Sequence, residues 1–137
     1  MFTSTLLRYS DLENNEIELR RLVGLKRKEF ELLHRFFDNY ITDYFTHFTL
    51  EGTPRNRRAS IRKNSIFVDS RDALLFILIY LNGKILQDQL ALIFEVDQPK
   101  ISKYVKFYRQ ILYQVIETHP RAISRYKRER IFKNIYK

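Results

Sequence analysis

The side chains whose types and spacing are most informative lie between Gln87 and Lys106. Helical spacing would place five of them on one outward face: Gln98, Lys100, Ser102, Lys103 and Lys106. A glutamine amide can pair with adenine through two hydrogen bonds, a lysine can reach the acceptors of guanine, and serine or lysine can bind phosphates. We therefore predict that this face contacts double-stranded DNA. The alternative is an ordinary solvated helix surface, which carries the same residue types.

The elements that must position these side chains are two closely linked helices with the spacing of a helix-turn-helix over 87–106. Apolar periodicity predicts one helix over 86–94 and a second from 98 to about 118. So few residues join the two helices that they should cross at a steep angle rather than lie antiparallel. Ala91 is small where the helices would cross, and Val96 is apolar where the turn must pack against the first helix.

The turn between these helices carries both supporting and conflicting signals. Asp97 can cap the second helix, and Pro99 falls in its first turn, where the missing N–H costs no intrahelical hydrogen bond. Ile101 is spaced to face inward and to seal the second helix against the first. Glu95 occupies the position where many such motifs have glycine, because the backbone there is left-handed. A glutamate would be strained at this position, so the alternative is a longer first helix and a more open turn.

A second candidate site is a cluster of basic residues that follows Gly52 and Pro54. Its members are Arg55, Arg57, Arg58, Arg62 and Lys63. Apolar periodicity lapses between 46 and 68, so we predict that these residues lie in a loop. We expect its cations to hold phosphates or to enter a minor groove next to the predicted recognition helix.

The composition indicates one all-α domain. The 137 residues are 45% hydrophobic with only three glycines and three prolines, which supplies a core but too few turn residues for an all-β fold. We predict an irregular segment over 1–15, a small multi-helix domain over 16–119 and a basic C-terminal tail over 120–137. Whether this tail packs on the domain is left open. The formal net charge of +9 favours a polyanionic partner.

Two of the predicted helices supply most of the core. The residues from Lys26 onward have an amphipathic pattern, and we interpret the acids of that helix as its solvated face: Glu29, Glu31, Asp38 and Asp43. A second, core helix is predicted over Arg71–Asn82, with Asp69 or Ser70 as its cap. A short first helix should end at Gly24.

No group of residues predicts catalysis, a metal site or a cofactor. There is no cysteine, and the three histidines, His34, His47 and His119, are scattered over different elements, with His34 expected to be partly exposed on its helix. No glycine-rich phosphate loop is present. We therefore predict a protein that is not an enzyme. We also expect neither a signal peptide nor a membrane span, because the longest apolar run, Ala73–Leu81, is too short to cross a bilayer.

The chain is rich in aromatic residues, with eleven phenylalanines and nine tyrosines. Most of them follow helical core spacing, so we assign them to packing rather than to stacking on single-stranded nucleic acid. Tyr126 and Tyr136 lie among the basic residues of the tail. We reserve these two for contact with nucleic acid or a partner.

Three stretches, taken in order, resemble the N-terminal region of DDE-superfamily insertion-sequence transposases related to insertion-sequence family five. They are LVGLKRKEFELLHRFF at 22–37, RDALLFILIYL at 71–81 and QDQLALIFEVDQPKISKYVKFY at 87–108. The chain departs from that pattern at Lys26, where a serine or threonine cap is usual, at Glu95, and at Pro99-Lys100, where small polar residues are usual.

The resemblance implies that the chain recognises the terminal inverted repeats of a mobile element, as a first reading frame or a truncated fragment of a transposase. Cleavage and joining would then belong to a separately encoded DDE subunit, an RNase H-like domain whose three carboxylates hold two metal ions. It also implies a prokaryotic, cytoplasmic, nucleoid-associated protein, and it leaves a homodimer open. Two alternatives remain: a stand-alone helix-turn-helix transcriptional regulator, and a basic helical module that binds an acidic protein or membrane surface.

Overall fold

The computed structural model describes residues 7–49, 52, 54, 67, 69–83 and 85–135. Within these ranges the chain forms six α-helices and, apart from one isolated bridge between Phe48 and Pro54, no β-structure. The predicted all-α class is therefore confirmed. Short 3-10 turns occur at Tyr9–Asp11 and Pro120–Ala122. The helices are α1 (Glu16–Val23), α2 (Arg27–His47), α3 (Ser70–Leu81), α4 (Gln87–Phe94), α5 (Gln98–Thr118) and α6 (Arg125–Ile135).

The centre of the fold is α3, the helix that contains the longest apolar run. Its residues are buried from Ala73 to Ile79 and again at Leu81. A helix that is apolar on all sides must be covered on all sides, and α3 contacts each of the other five α-helices. The Asp69 carboxylate accepts a 2.9 Å hydrogen bond from the backbone N–H of Arg71. Asp69, rather than Ser70, is therefore the cap of α3.

The junction between α1 and α2 follows signals that the sequence carries. Gly24 ends α1 with a left-handed φ of 75°, which glycine adopts without the clash of a Cβ. Lys26 precedes α2 and does not cap it with its side chain. The Glu29 carboxylate instead accepts a 2.9 Å hydrogen bond from the backbone N–H of Lys26. This bond makes half of a capping box, so α2 has a fixed start without a serine or threonine.

The acidic residues of α2 are not all a solvated face, so that interpretation is wrong for three of the four. Asp43 is exposed, as predicted. The other three bind residues of neighbouring helices: Glu29 pairs with Lys127, Glu31 with Arg71, and Asp38 accepts a hydrogen bond from Ser70. A pattern on one helix shows which residues are polar, but it does not show which of them meet an opposite charge on another helix.

The N-terminal segment is fixed to the helices from Leu7 onward. The backbone N–H of Leu7 donates a 3.1 Å hydrogen bond to the carbonyl of Ile93 at the end of α4. The ring of Tyr9 stacks on Phe30, with centroids 4.6 Å apart, and the Tyr9 backbone N–H donates to the Asp72 carboxylate at 2.7 Å. Within the segment predicted to be irregular, residues 7–15 therefore form part of the core through their apolar side chains.

The basic segment after α5 also packs on the helices as far as Ile135. Its apolar residues Ala122, Ile123, Ile131 and Ile135 are buried. Polar side chains of α6 reach backbone carbonyls of other elements: Arg130 donates to Gly24 at 3.1 Å, and Asn134 donates to Leu81. The question that the sequence left open is thereby answered for 120–135, because α6 completes the cover of α3.

Candidate nucleic-acid interface

The site predicted from the sequence is built on α4, a three-residue turn and α5. α4 ends at Phe94, and Glu95 adopts a left-handed conformation with φ 55° and ψ 47°. The backbone N–H groups of Glu95 and Val96 donate to the carbonyls of Leu92 at 3.4 Å and Ala91 at 3.0 Å. These two bonds are those of a Schellman motif, which satisfies carbonyls at the end of a helix.

The alternative of a longer first helix and a more open turn is therefore wrong. Glu95 occupies the left-handed position itself, and it is the one described residue other than glycine with a positive φ. A Cβ in this conformation costs on the order of 1–2 kcal/mol. Val96 is half-buried and packs against the core, so the turn is anchored on its inner side.

The start of α5 differs in one respect from the prediction. Asp97 is at the N-cap position, but its side chain makes no capping hydrogen bond, and Pro99 lies in the first turn as predicted. A capping side chain normally accepts from the second or third residue of the helix. Pro99 is the second residue and has no N–H, so one of these two donors is missing. The Asp97 carboxylate stays on the exposed surface.

The inner face of α5 is sealed as predicted. Ile101, Tyr104, Val105 and Tyr108 are buried. The rings of Tyr104 and Tyr108 are stacked, with centroids 6.0 Å apart, and they pack in an aromatic cluster with Phe67. Because this face is held by large side chains, the outer face of α5 is presented on a rigid support.

The structure places the five residues predicted for the outward face on α5, and we call their exposed side chains the α5 outer face. All five are exposed: Gln98, Lys100, Ser102, Lys103 and Lys106. From the first to the last, the helix rises by about 12 Å, which is close to the width of the DNA major groove. The surface therefore has both the length and the hydrogen-bonding groups that direct contact with base edges requires.

The basic loop cannot be compared with this surface, because its predicted contact residues lie outside the described part of the chain. These residues are Arg55, Arg57, Arg58, Arg62 and Lys63. Tyr136 likewise lies outside the described residues. Tyr126 is 74% exposed on α6, so it is accessible to a partner.

The charge of the segment 87–106 is balanced, which the sequence analysis did not take into account. Its three lysines are matched by three exposed carboxylates, Asp88, Glu95 and Asp97. The excess of positive charge in the protein therefore lies elsewhere in the sequence, in the basic cluster after Pro54 and in other helices. Because the segment as a whole carries no net charge, it would gain little from attraction to phosphates, and the polar groups of the α5 outer face would add hydrogen bonding to bases.

Much of the positive charge of α6 is used inside the protein. Lys127 pairs with Glu29 of α2, and Arg130 donates to the Gly24 carbonyl. Arg128 donates to the carbonyl of Pro120. Arg121, in the turn before α6, and Lys133, on α6, are exposed. These two residues are therefore well placed to meet an external anion.

Two glutamines, one of which the sequence analysis did not single out, occupy the first positions of α4 and α5. Gln98 Nε2 donates to Gln87 Oε1 at 3.5 Å, and Gln87 Nε2 donates to the hydroxyl of Tyr80 at 3.4 Å. These are long hydrogen bonds, and they form a chain from α3 to the start of α5. The signal that could have identified Gln87 is its place at the start of a helix, eleven residues before Gln98.

The structure also groups His34, Ser70 and Asp38, which the sequence analysis left apart. His34 is buried, with 8% of its surface exposed, so the expectation that it is partly exposed is wrong. Its Nε2 lies 2.6 Å from the Ser70 hydroxyl oxygen, and that hydroxyl donates to Asp38 at 2.8 Å. In a nucleophilic triad the histidine stands between the serine and the carboxylate, whereas here the serine is in the middle. Burial lowers the pKa of His34, which disfavours the charged ring, and the contacts of His34 and Asp38 with Ser70 join α2 to α3.

Two further observations bear on the class of protein. Among the described residues, no group of three or more histidine, cysteine, aspartate or glutamate side chains could hold a metal ion. None of the helices in the described ranges has the length and apolar character needed to cross a membrane.

Comparison with known proteins finds no family model that matches the chain, no similar curated protein and no similar solved structure. The resemblance to transposase N-terminal regions therefore rests on the three sequence stretches alone.

Proposed function

We propose that the protein is a DNA-binding module that uses α4 and α5 as a helix-turn-helix. In this proposal the first three turns of α5 enter the major groove of double-stranded DNA, and α4 crosses the phosphate backbone. The observation that carries it is the α5 outer face, where five polar side chains are exposed above a sealed inner face. A rigid helix with polar groups on one face is what direct readout of bases requires.

The balanced charge of segment 87–106 supports a division of labour. Affinity for any duplex would come from cations outside this segment, in the basic loop that begins at Arg55 and at the exposed residues Arg121 and Lys133. Selectivity between sequences would come from Gln98 and the lysines of the α5 outer face. Phosphate contacts position a protein on DNA, while contacts with base edges carry the sequence information.

The resemblance described above supports a more specific role. We propose that the duplex is the terminal inverted repeat of an insertion sequence, and that a separately encoded DDE subunit performs cleavage and joining. A prokaryotic, nucleoid-associated location and a homodimer belong to the same proposal. A stand-alone regulator with the same DNA-binding surface would bind the same duplex without such a subunit.

A different class of function is favoured by one observation. Leu86, the residue before α4, and Leu92 on α4 are 68% and 73% exposed. Exposed apolar side chains are common in contacts between proteins, so a protein-interaction module is the competing hypothesis. In that case, α4 rather than α5 would carry the contact.

The test is selection of duplexes from a random pool, followed by binding of the enriched and a scrambled duplex at several salt concentrations. We expect both affinities to fall with salt, and the enriched duplex to bind at least about a hundred-fold more tightly. The matched variants are Lys106→Ala on the α5 outer face and Lys28→Ala on α2, both at exposed lysines. Equal affinity of the wild-type protein for every duplex, or no binding at all, would overturn the proposed function.

A further inference from the structure

Two successive hydrogen bonds link the side chains of Tyr80, Gln87 and Gln98. Tyr80 is a half-buried residue of α3, Gln87 is half-buried at the start of α4, and Gln98 is exposed at the start of α5. The Gln87 amide donates to the Tyr80 hydroxyl at 3.4 Å, and the Gln98 amide donates to the side-chain oxygen of Gln87 at 3.5 Å. These hydrogen bonds thus lead from the central helix, α3, to the exposed first position of α5.

The hydrogen-bonding capacity of Gln98 is only partly used by this contact. A glutamine amide has two N–H donors and a carbonyl oxygen with two lone pairs. One donor binds Gln87, and among the described residues the Gln98 side chain has no other hydrogen bond. One N–H and the carbonyl oxygen therefore remain for an external partner. When the N–H that points away from the carbonyl binds Gln87, the remaining donor and acceptor lie side by side on the opposite edge of the amide.

We propose that Gln98 reads an adenine in the major groove and that Gln87 is the positioning residue that orients its amide. This inference rests on the proposed function and names the base that the surface selects. Adenine presents an acceptor, N7, and a donor, the N6 amino group, on its major-groove edge. The free N–H and carbonyl of Gln98 are complementary to that pair, whereas guanine presents two acceptors and cannot satisfy the carbonyl.

Gln87 favours one orientation of the Gln98 amide but does not fix it, because hydrogen bonds of 3.4–3.5 Å are weak. Its effect should therefore be smaller than that of the reading residue itself. Loss of Gln98 removes both hydrogen bonds to the base, while loss of Gln87 leaves them able to form from a less ordered side chain. The two substitutions should lower the preference for the same base by different factors.

The experiment measures the preference for each base at each position of a selected duplex. For the wild-type protein we expect one position where replacing adenine by guanine weakens binding by about 5- to 150-fold, the range for loss of a bidentate contact. Replacing that adenine by 7-deazaadenine, which lacks the N7 acceptor, should weaken binding by a smaller factor than replacing it by guanine. Gln98→Ala should lose the preference at this position and keep it at the others.

Three further variants separate positioning from a general structural effect. Gln87→Ala should reduce the adenine preference a few-fold, with unchanged affinity for a scrambled duplex. Gln87→Glu keeps an oxygen that accepts from Gln98, so it should restore most of the preference even if the added charge lowers affinity for every duplex. Gln110→Ala, at an exposed glutamine farther along α5, is the matched control and should leave the preference unchanged.

The outcomes distinguish this inference from the proposed function. A wild-type protein that prefers no sequence overturns both. A selective wild-type protein whose base preferences are unchanged in Gln98→Ala overturns the adenine contact alone. If Gln98→Ala loses the preference and Gln87→Ala keeps it in full, the positioning role of Gln87 is wrong.

Discussion

Arg71 and Glu31 form a two-pronged ion pair that joins the first turn of α3 to α2. Arg71 Nε and one terminal guanidinium nitrogen each donate to a different Glu31 oxygen at 3.1 Å. The two residues are 40 positions apart in the sequence, so the pair fixes a tertiary contact rather than a local one. Both side chains are about 40% exposed, and screening by water limits what the pair contributes.

The first prediction concerns the geometry of this pair. Arg71→Lys keeps the charge but loses the fork of donors that matches a carboxylate, so we expect unfolding free energy to fall by about 0.5–1 kcal/mol. Urea unfolding gives the value. The matched control is Arg21→Lys in the exposed pair with Glu18 within α1, where the loss should be smaller. Equal losses in the two variants would mean that the fork of Arg71 has no special role.

The second prediction follows from the pKa of Glu31. The Arg71 guanidinium bonded to this carboxyl holds its pKa below the usual range. A carboxyl with a lowered folded-state pKa stabilises the fold above its unfolded pKa of about 4.3, and this contribution is lost as the pH falls through the folded value. We therefore expect wild-type stability to decrease more steeply on acidification than that of Glu31→Gln. Unfolding measured between about pH 7 and pH 2.5 makes the comparison, and parallel curves would contradict it.

The third prediction has the opposite sign and concerns Asp72. Burial raises the pKa of this carboxyl, which accepts a 2.7 Å hydrogen bond from the Tyr9 backbone. The charged form is therefore disfavoured in the fold, and this penalty grows as the pH rises from the unfolded pKa through the folded pKa. Asp72→Asn keeps an acceptor for Tyr9 and removes the charge. Its stability relative to the wild type should improve as the pH rises from below 3.8 to neutrality.

The control for Asp72 is a variant that removes the acceptor as well. Asp72→Leu leaves the Tyr9 N–H without its partner, and we expect a loss of about 1–3 kcal/mol. Thermal or urea unfolding at neutral pH measures it. If Asp72→Asn is destabilised as much as Asp72→Leu, the hydrogen bond to Tyr9 is not what the carboxyl contributes.

The fourth prediction tests the left-handed turn residue. Glu95→Gly removes a Cβ from a residue with φ 55°, and after the entropic cost of glycine is subtracted we expect a gain of about 0.5 kcal/mol. Glu95→Ala removes the carboxylate and keeps the Cβ, so it should give no such gain. Urea unfolding of the two variants decides between them. A larger gain for the alanine variant would show that the carboxylate, and not the backbone, is unfavourable.

The fifth prediction separates the two kinds of contact proposed for DNA. Lys103→Ala should reduce discrimination between the selected duplex and a scrambled one. Arg57→Ala, in the basic cluster after Pro54, should weaken both complexes alike and lower the salt slope by about one unit. Binding titrations over a range of salt concentrations measure both effects. Equal loss for both duplexes in both variants would contradict this separation.

Local patterns predicted the elements that build the candidate site. The inward spacing of Ile101 and Tyr104 fixed which face of α5 is exposed, because a helix repeats every 3.6 residues whatever surrounds it. The cap at Asp69 and the end of α1 at Gly24 follow from side-chain and backbone preferences of single residues. Such features depend on neighbours in the sequence, and therefore a sequence is enough to predict them.

Features that depend on distant residues were not predictable in the same way. The burial of His34 depends on Ser70, 36 residues away, and the pairing of Glu29 depends on Lys127, 98 residues away. The packing of α6 could not be predicted from its sequence, because its few buried isoleucines lie among charged residues that indicate a solvated tail. At Glu95 the left-handed backbone argued from the sequence is present, and the turn closes around it through two backbone hydrogen bonds while Val96 packs against the core.

The central position of α3 determines how the protein unfolds. Each of the other described α-helices contacts α3. Separating any of them from α3 would expose apolar side chains to water that the remaining helices cannot cover. The described helices should therefore melt together in a single cooperative transition rather than as independent folding units. An excised peptide containing α4 and α5 alone would lack the surface that holds their shape, and it should be largely unstructured in water.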